Sequence, residues 1–408
     1  MKCRHCGTEL TLPFLDLGSA PPSNSYLTSA SLHAPEKWYP LRVMVCTECW
    51  LVQTEDFADH EALFSADYAY FSSFSDNWLR HARGYVEDMV ERFILGAASH
   101  VVEVAANDGY LLQYVRERGI PCLGVEPTAS TAAAARAKGI EIVESFFGRR
   151  LAGELLAAGK AADLMAANNV LAHVPDINDF VGGFAVLLKE NGVATFEFPH
   201  LLRLVEGVQF DTVYHEHFSY LSLSAVARIF ERNGLRVCDV EELPTHGGSL
   251  RVFAQRADTG ALPVAASVGE MLARERVAGM TTETYYQDFQ PRAEKIKNDL
   301  LKFLLEAKCL GKTVAAYGAA AKGNTLLNFA GVRADMISFV VDRNPAKQGK
   351  YMPGSRIPIV LEQMLKVEEP HYVLLLPWNL REELVVQLSY VREWGGQLAT
   401  IIPSVRVA

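Results

Sequence analysis

Residues 99 to 119 read "SHVVEVAANDGYLLQYVRERG". The order is strand, tight loop, helix. "HVVEVA" is short and β-branched, "NDG" carries turn chemistry, and "YLLQYVRERG" spaces its apolar residues as a helix that stops at Gly119. The pattern then repeats: a strand in "PCLGVEP" (121–127), a helix in "ASTAAAARAKG" (129–139), a strand in "IEIVES" (140–145), a helix near 149–158 and a strand in "ADLMAANNV" (162–170). Strands alternating with helices of this length predict a parallel sheet with crossover helices. Ligands of such sheets bind outside the carboxyl ends of the strands.

That edge carries Glu103, Ala105 and the turn Asn107-Asp108-Gly109 after the first strand, Glu126 after the second, and Asn168-Asn169 after the fourth. An acid ending the second strand suits the two hydroxyls of an adenosine ribose. A dinucleotide would need a glycine-rich phosphate loop at the first helix. This loop has one glycine and an acid, which repels pyrophosphate. S-adenosylmethionine has no phosphate and carries a sulfonium cation, so an acidic loop suits it.

Working outward, 408 residues exceed one ordinary core, and two or three domains are expected. A net charge of −9 with no Lys/Arg block argues against nucleic acid as a partner. Neither a membrane-spanning apolar run nor a charged-then-apolar leader is present, so no membrane is expected and a cytoplasmic protein is. Seven cysteines include two C-x-x-C pairs, Cys3/Cys6 and Cys46/Cys49, separated by 39 residues. In a reducing compartment two matched pairs predict a four-sulfur structural zinc site, closed to substrate, stapling a small N-terminal segment. In "HEALFSADYAYFSSFSDNW" (60–78) most aromatics suit a packing face, but Tyr68 offers a phenol to a ligand.

"FDTVYHEHFSY" (210–220) sets Tyr214, His215, Glu216 and His217 side by side. Three readings compete: a metal site, an acid/base cluster, or a polar loop. The metal reading is the weaker of the first two, because no further His/Asp cluster offers the remaining ligands. "THGGSLR" (245–251) follows a strand, and its His246 and Arg251 either contact a ligand or make a turn. Beyond "RADTGALP" (256–263), a helix from about 284 to 308 precedes a second β/α set with strands in 312–317, 337–341, 357–360, 372–376 and 397–402. "GKT" (311–313) is no phosphate loop, since residue 306 is Glu where glycine is required and a strand follows. "YGAAAKGNT" (317–325) opens a helix with small residues, and its N–H groups with Lys322 can hold a phosphate. Asp342, Lys347 and Trp378-Asn379 end the later strands, where each is a further ligand candidate or a satisfied loop residue.

"VVEVAANDGYLL" looks like the E-x-G-x-x-D/N-G motif of class I methyltransferases. With the cysteine pairs, "LAHVPD", "YHEHFSY" and "HGGSLRVF", nearly the whole chain resembles the sugar C-methyltransferases of branched deoxysugar pathways (mycarose, noviose and tetronitrose type). One departure stands out: Ala105 and Ala106 replace glycine and a frequent cysteine, and alanine disfavours positive φ. The resemblance implies an α/β protein in three parts: a zinc-binding module (1–65), a Rossmann-like methyltransferase domain (66–255) and a second Rossmann-like domain for the nucleotide-sugar (256–408). It implies methyl transfer from S-adenosylmethionine to C3 of a dTDP-linked 4-keto-deoxysugar. An imidazole accepts a carbon-bound proton near neutral pH, so His217 is the expected base. Tyr214 either shares that role or hydrogen-bonds the C4 oxygen. Glu216 orients or tunes the imidazole, His173 serves the enolate or sugar hydroxyls, and Tyr68 is a further candidate. Lys322, His246, Arg251 and Asn379 are expected on the substrate, and the protein is expected to be a monomer. The alternatives are another nucleotide-sugar, transfer to oxygen, or a non-catalytic binder with a decayed cofactor loop.

Overall fold

A computed structural model describes residues 1–57 and 71–407. Tyr68 lies outside the described residues. Near the N-terminus, β1 (Leu12–Ala20), β2 (Tyr39–Val45) and β3 (Val52–Thr54) pair antiparallel. β1 and β2 turn Phe14, Leu41 and Val43 into the core, and the cysteine pairs sit on turns beside the sheet. Each C-x-x-C turn ends on a left-handed residue, Gly7 (φ 81°) and Trp50 (φ 61°). At Trp50 that conformation costs roughly 1–2 kcal/mol, offset in part by stacking on Tyr286.

The central sheet contains β4 (Val101–Val104), β5 (Cys122–Val125), β6 (Glu141–Val143), β7 (Ala162–Asn168) and β8 (Leu188–Pro199). After β9 (Ser219–Tyr220) come β10 (Leu235–Leu243) and β11 (Ser249–Arg256). The sheet order is β10-β11-β8-β7-β4-β5-β6, with β11 antiparallel to both neighbours. The chain reverses direction across the sheet between β4 and β7, which opens the ligand crevice there. β9 leaves this domain and pairs with β3, becoming the fourth strand of the N-terminal sheet.

The helix Asp76–Arg92 precedes β4. Ser75 caps it by accepting the Trp78 N–H, and Ala82, Tyr85, Val86 and Met89 form its buried stripe. The helix expected over 110–118 is shorter, Leu112–Glu117, because the loop turn consumes the preceding residues. The loop needs left-handed backbone at Ala105 (φ 60°), Asn107 (φ 48°) and Gly109 (φ 74°). At Gly109 the positive φ favours glycine, and a Cβ there would lie 2.4 Å from the tip of Ile140, Cδ1, which would have to move.

The C-terminal sheet is β12 (Val314–Tyr317), β13 (Val340–Val341), β14 (Ile359–Val360), β15 (Tyr372–Leu375), β16 (Gln397–Thr400) and β17 (Arg406–Val407). Its order is β14-β13-β12-β15-β16-β17, parallel except at β17. The helix expected over 284–308 is two helices, Glu283–Gln287 and Phe289–Cys309, interrupted at Asp288. Pro291 explains the restart: it has no N–H to give and is tolerated only in a first turn. The longer helix buries Phe289, Ala293, Ile296, Leu300 and Leu304 in a core shared with the N-terminal sheet. No helix among the described residues is long and apolar enough to cross a membrane.

Candidate functional site

Three sets of polar residues meet around the central sheet. The first is the cysteine cluster. The sulfurs of Cys3, Cys6, Cys46 and Cys49 all lie within 4.8 Å of one another, with Cys3–Cys49 at 3.6 Å and Cys6–Cys46 at 3.5 Å. Tetrahedral zinc with bonds of about 2.3 Å sets its sulfurs roughly 3.8 Å apart, so the donor set fits that ion. Gln53 Nε2 donates to Cys3 Sγ at 3.3 Å. His5 is turned aside onto Asn178 Oδ1 at 2.8 Å.

The second set lines the β4–β5–β7 edge. Both oxygens of Glu126 accept backbone N–H groups, from Asn107 at 2.9 Å and Thr128 at 3.0 Å, which shapes the loop. Asn107 Oδ1 accepts from the Ser72 N–H at 2.9 Å. Glu103 lies under the loop, 1% exposed; burial drives its pKa well up, against hydrogen bonds from Tyr110 and Leu112. Asp108 Oδ1, both amide atoms of Asn168, and Asn169 Oδ1 are buried with no hydrogen-bond partner among the described residues. Buried orphans of this kind cost about 1–3 kcal/mol each unless a ligand satisfies them. Acceptors beside an acidic ribose position match an adenosyl group ending in an ammonium and a sulfonium, so S-adenosylmethionine fits here.

The third set is the 210–220 segment. The His217 ring sends Nδ1–H to the Thr212 carbonyl at 2.9 Å, which leaves Nε2 to accept the Tyr214 hydroxyl at 2.7 Å. Burial, then the nearby His173, hold the imidazole well below its usual pKa, so it is neutral. His173 stands with its ring 4.5 Å from that of His217, and burial lowers it to about 4. The Glu216 carboxylate turns away from the ring to Asn24 Nδ2, 2.8 Å from each oxygen. His217 is therefore oriented by the Thr212 carbonyl and not by Glu216. His215 reaches the Tyr39 and Pro40 carbonyls, away from the pair.

His246 joins this region: Asn169 Nδ2 donates to its Nε2 at 3.2 Å, and burial lowers it to about 4. Arg251 faces inward, its side chain 4% exposed between Glu197 at 3.1 Å and Glu241 at 3.3 Å. From the C-terminal domain, Lys322 Nζ donates to Asn379 Oδ1 at 3.3 Å and lies over the Trp378 ring. Trp378 Nε1 donates to Asp211 at 2.7 Å, and burial raises that carboxyl to about 6 against the pull of Lys322.

Several participants escaped the sequence reading. Glu197 is fully buried and accepts from His81 at 2.8 Å, Thr245 at 3.1 Å and Arg251. Trp78, one turn before His81, stacks on it and on Tyr110 of the cofactor loop. A lone acid inside the apolar strand "TFEFP" was the available signal for Glu197. Nothing local marks Asp211 or Asn24, whose partners lie more than 160 residues away.

Comparison with known proteins shows the family. Residues 3–64 match a zinc binding domain model, 78–240 a methyltransferase domain, and 244–403 a C-methyltransferase C-terminal domain. The C-methyltransferase NovU of Streptomyces niveus is 36% identical over 406 residues, covering 100% of this chain and 96% of that protein. Among solved structures, magnesium protoporphyrin IX methyltransferase of Synechocystis with bound SAM is 14% identical, covers 50% of this chain and 100% of its own, and has a TM-score of 0.36. A SAM-dependent methyltransferase of Archaeoglobus fulgidus is 14% identical over 43% of this chain and 94% of its own, with a TM-score of 0.34. Full-length identity at that level, over the same three parts in the same order, makes this chain a member of the S-adenosylmethionine-dependent C-methyltransferase family.

Proposed function

We propose that the enzyme methylates a sugar carbon, C3, next to the C4 ketone of a dTDP-linked 4-keto-deoxysugar. The observation that carries this reading is the buried Tyr214–His217 hydrogen bond of 2.7 Å, with imidazole Nε2 as acceptor. A carbonyl makes the neighbouring C–H acidic, and its removal needs a neutral base held dry and close. The C3 proton passes to the Tyr214–His217 pair, ending on Nε2, and its electron pair forms an enolate. S-adenosylmethionine, when bound, would supply the electrophilic methyl to the enolate carbon, the S–CH3 electron pair staying on sulfur to leave S-adenosylhomocysteine. His173 and Tyr214 stand where the C4 oxygen would develop charge. Lys322 and the N–H groups opening the helix Ala321–Phe329 face the diphosphate, with Asn379 and His246 flanking the sugar. Arg251 acts from behind, holding Glu197. The boundaries 1–65, 66–255 and 256–408 belong to this reading, as do a monomer and a cytoplasmic, reducing setting that suits four paired thiols.

Incubation in deuterated buffer without S-adenosylmethionine tests the chemistry. Exchange of the C3 hydrogen is expected, and an active enzyme showing no exchange would point to transfer onto oxygen. His217→Asn should lower turnover by roughly 10²–10⁴-fold while both ligands still bind. Near-normal turnover in that variant removes the base assignment.

A further inference from the structure

The zinc module does more than staple the N-terminus. Its last strand, β3, is built into both the metal cluster and the catalytic segment through consecutive residues. Gln53 is fully buried; its Nε2 donates to Cys3 Sγ at 3.3 Å and its Oε1 accepts the Arg4 N–H at 2.9 Å. The next residue, Thr54, is 3% exposed. Its hydroxyl donates to the His217 carbonyl at 3.1 Å, and its N–H donates to the Phe218 carbonyl at 3.1 Å. Val52 and Gln53 pair with Tyr220 and Ser219 of β9. The side chain at 54 is thus the last rung of the ladder and grips His217 itself. A β-strand alone would leave that carbonyl unheld, because the two-residue β9 starts beyond it.

We infer that Thr54 is a positioning residue, through which the cysteine-bound module fixes the height and tilt of His217. The inference rests on His217 acting in the reaction. A rigid base matters because misplacement by about 1 Å can cost 10²-fold in rate. Among the described residues, the groups that face the His217 ring are Tyr214 from its own segment, Tyr220 from β9, His173 from the loop after β7, His246 from the loop after β10 and Lys322 from the C-terminal domain. Burial, His173, Lys322 and His246 disfavour its protonation, so a ring that slips toward water moves up toward its ordinary value of ~6.5.

The test compares Thr54→Val, which keeps shape and loses the donor, with Thr54→Ser, which keeps the donor. Thr54→Ala is measured in parallel as a second donor deletion. The expected result is full zinc content, KM for both ligands within ~2-fold of wild type, kcat lower by ~10-fold or more, and an acid limb of kcat/KM displaced upward. Thr54→Ser should restore kcat and the pH profile. Chelating the zinc from wild-type enzyme should raise amide hydrogen exchange in 214–220 ahead of exchange in β4. Wild-type kcat in either folded donor deletion overturns the inference. So do a Thr54→Ser variant as slow as Thr54→Val, losses that merely follow lost zinc, and equal exchange in both segments. His217→Asn separates the two levels: if it retains turnover the reaction scheme fails, and if it is inactive while Thr54→Val is unaffected only the role of Thr54 fails.

Discussion

The central and C-terminal sheets begin alike and end differently. In each, the first strand runs into a small-residue loop and a helix, and an acid after the second strand pins that loop. Glu126 holds the N–H groups of Asn107 and Thr128, while Asp342 holds those of Ala319 and Asn344 at 2.8 Å each. In the central sheet Asp108 Oδ1, both amide atoms of Asn168 and Asn169 Oδ1 stay buried with no hydrogen-bond partner among the described residues. In the C-terminal sheet the Ala319 carbonyl is taken twice, by the Tyr26 hydroxyl at 2.6 Å and by Lys347 Nζ at 2.9 Å. The N-terminal module thus reaches the loop of the C-terminal sheet through Tyr26 and fixes its Ala319 carbonyl. A shared architecture does not carry a shared occupant; the residues left unsatisfied at the strand ends do.

The largest contrast is expected from removing the two acids. Glu126→Ala should weaken S-adenosylhomocysteine binding by roughly 10–100-fold in calorimetry, since it releases the two backbone N–H groups that shape the loop. Asp342→Ala should leave that affinity unchanged and lower stability by about 1.5–3 kcal/mol in urea unfolding. Equal affinity losses in both variants would break the comparison. A smaller effect is expected at the seam, where Asp211 meets Trp378. Burial keeps this carboxyl protonated up to about pH 6, whereas the unfolded chain releases the proton near its ordinary value of ~3.9. Between those values the folded state binds more protons, so this group's contribution falls as pH rises and is level above about 6. Asp211→Asn should therefore gain stability relative to wild type across pH 4 to 6.5, on the order of 1–2 kcal/mol, read as a difference in Tm. The smallest effect is expected at Ala105, left-handed at φ 60°. Ala105→Gly should relieve that strain, against glycine's entropy in the unfolded chain, for a net gain of at most ~1 kcal/mol.

What the sequence showed depended on how local the cause was. The β/α alternation across 99–170 was legible because each strand is a short apolar run and each helix carries its own period. The cysteine cluster was legible because a C-x-x-C turn places two sulfurs without help from the rest of the chain. Tyr214 and His217 meet three residues apart, so their pairing was readable too. The partner of Glu216 was not, because Asn24 lies 192 residues away in another module. β9 was invisible as a strand: two residues have no period. The break at Asp288 was overlooked because apolar spacing continues through it, and only Pro291 marks the new first turn. Arg251 looked like a ligand contact or a turn residue, yet the buried Glu197 directly opposite it on the neighbouring strand β8 claims it.

The sheltering of the 210–220 segment has a consequence for synthesis. Thr325 closes on the Val213 carbonyl at 2.8 Å, and Trp378 closes on Asp211, so residues far downstream finish the chamber. A nascent chain that has only just emitted its central sheet holds His217 without the contacts of Thr325 and Trp378. Domains fold in the order they leave the ribosome. Competence therefore arrives late, after about the 380th residue has emerged and folded back, and fragments truncated before that point should hold donor without turning it over.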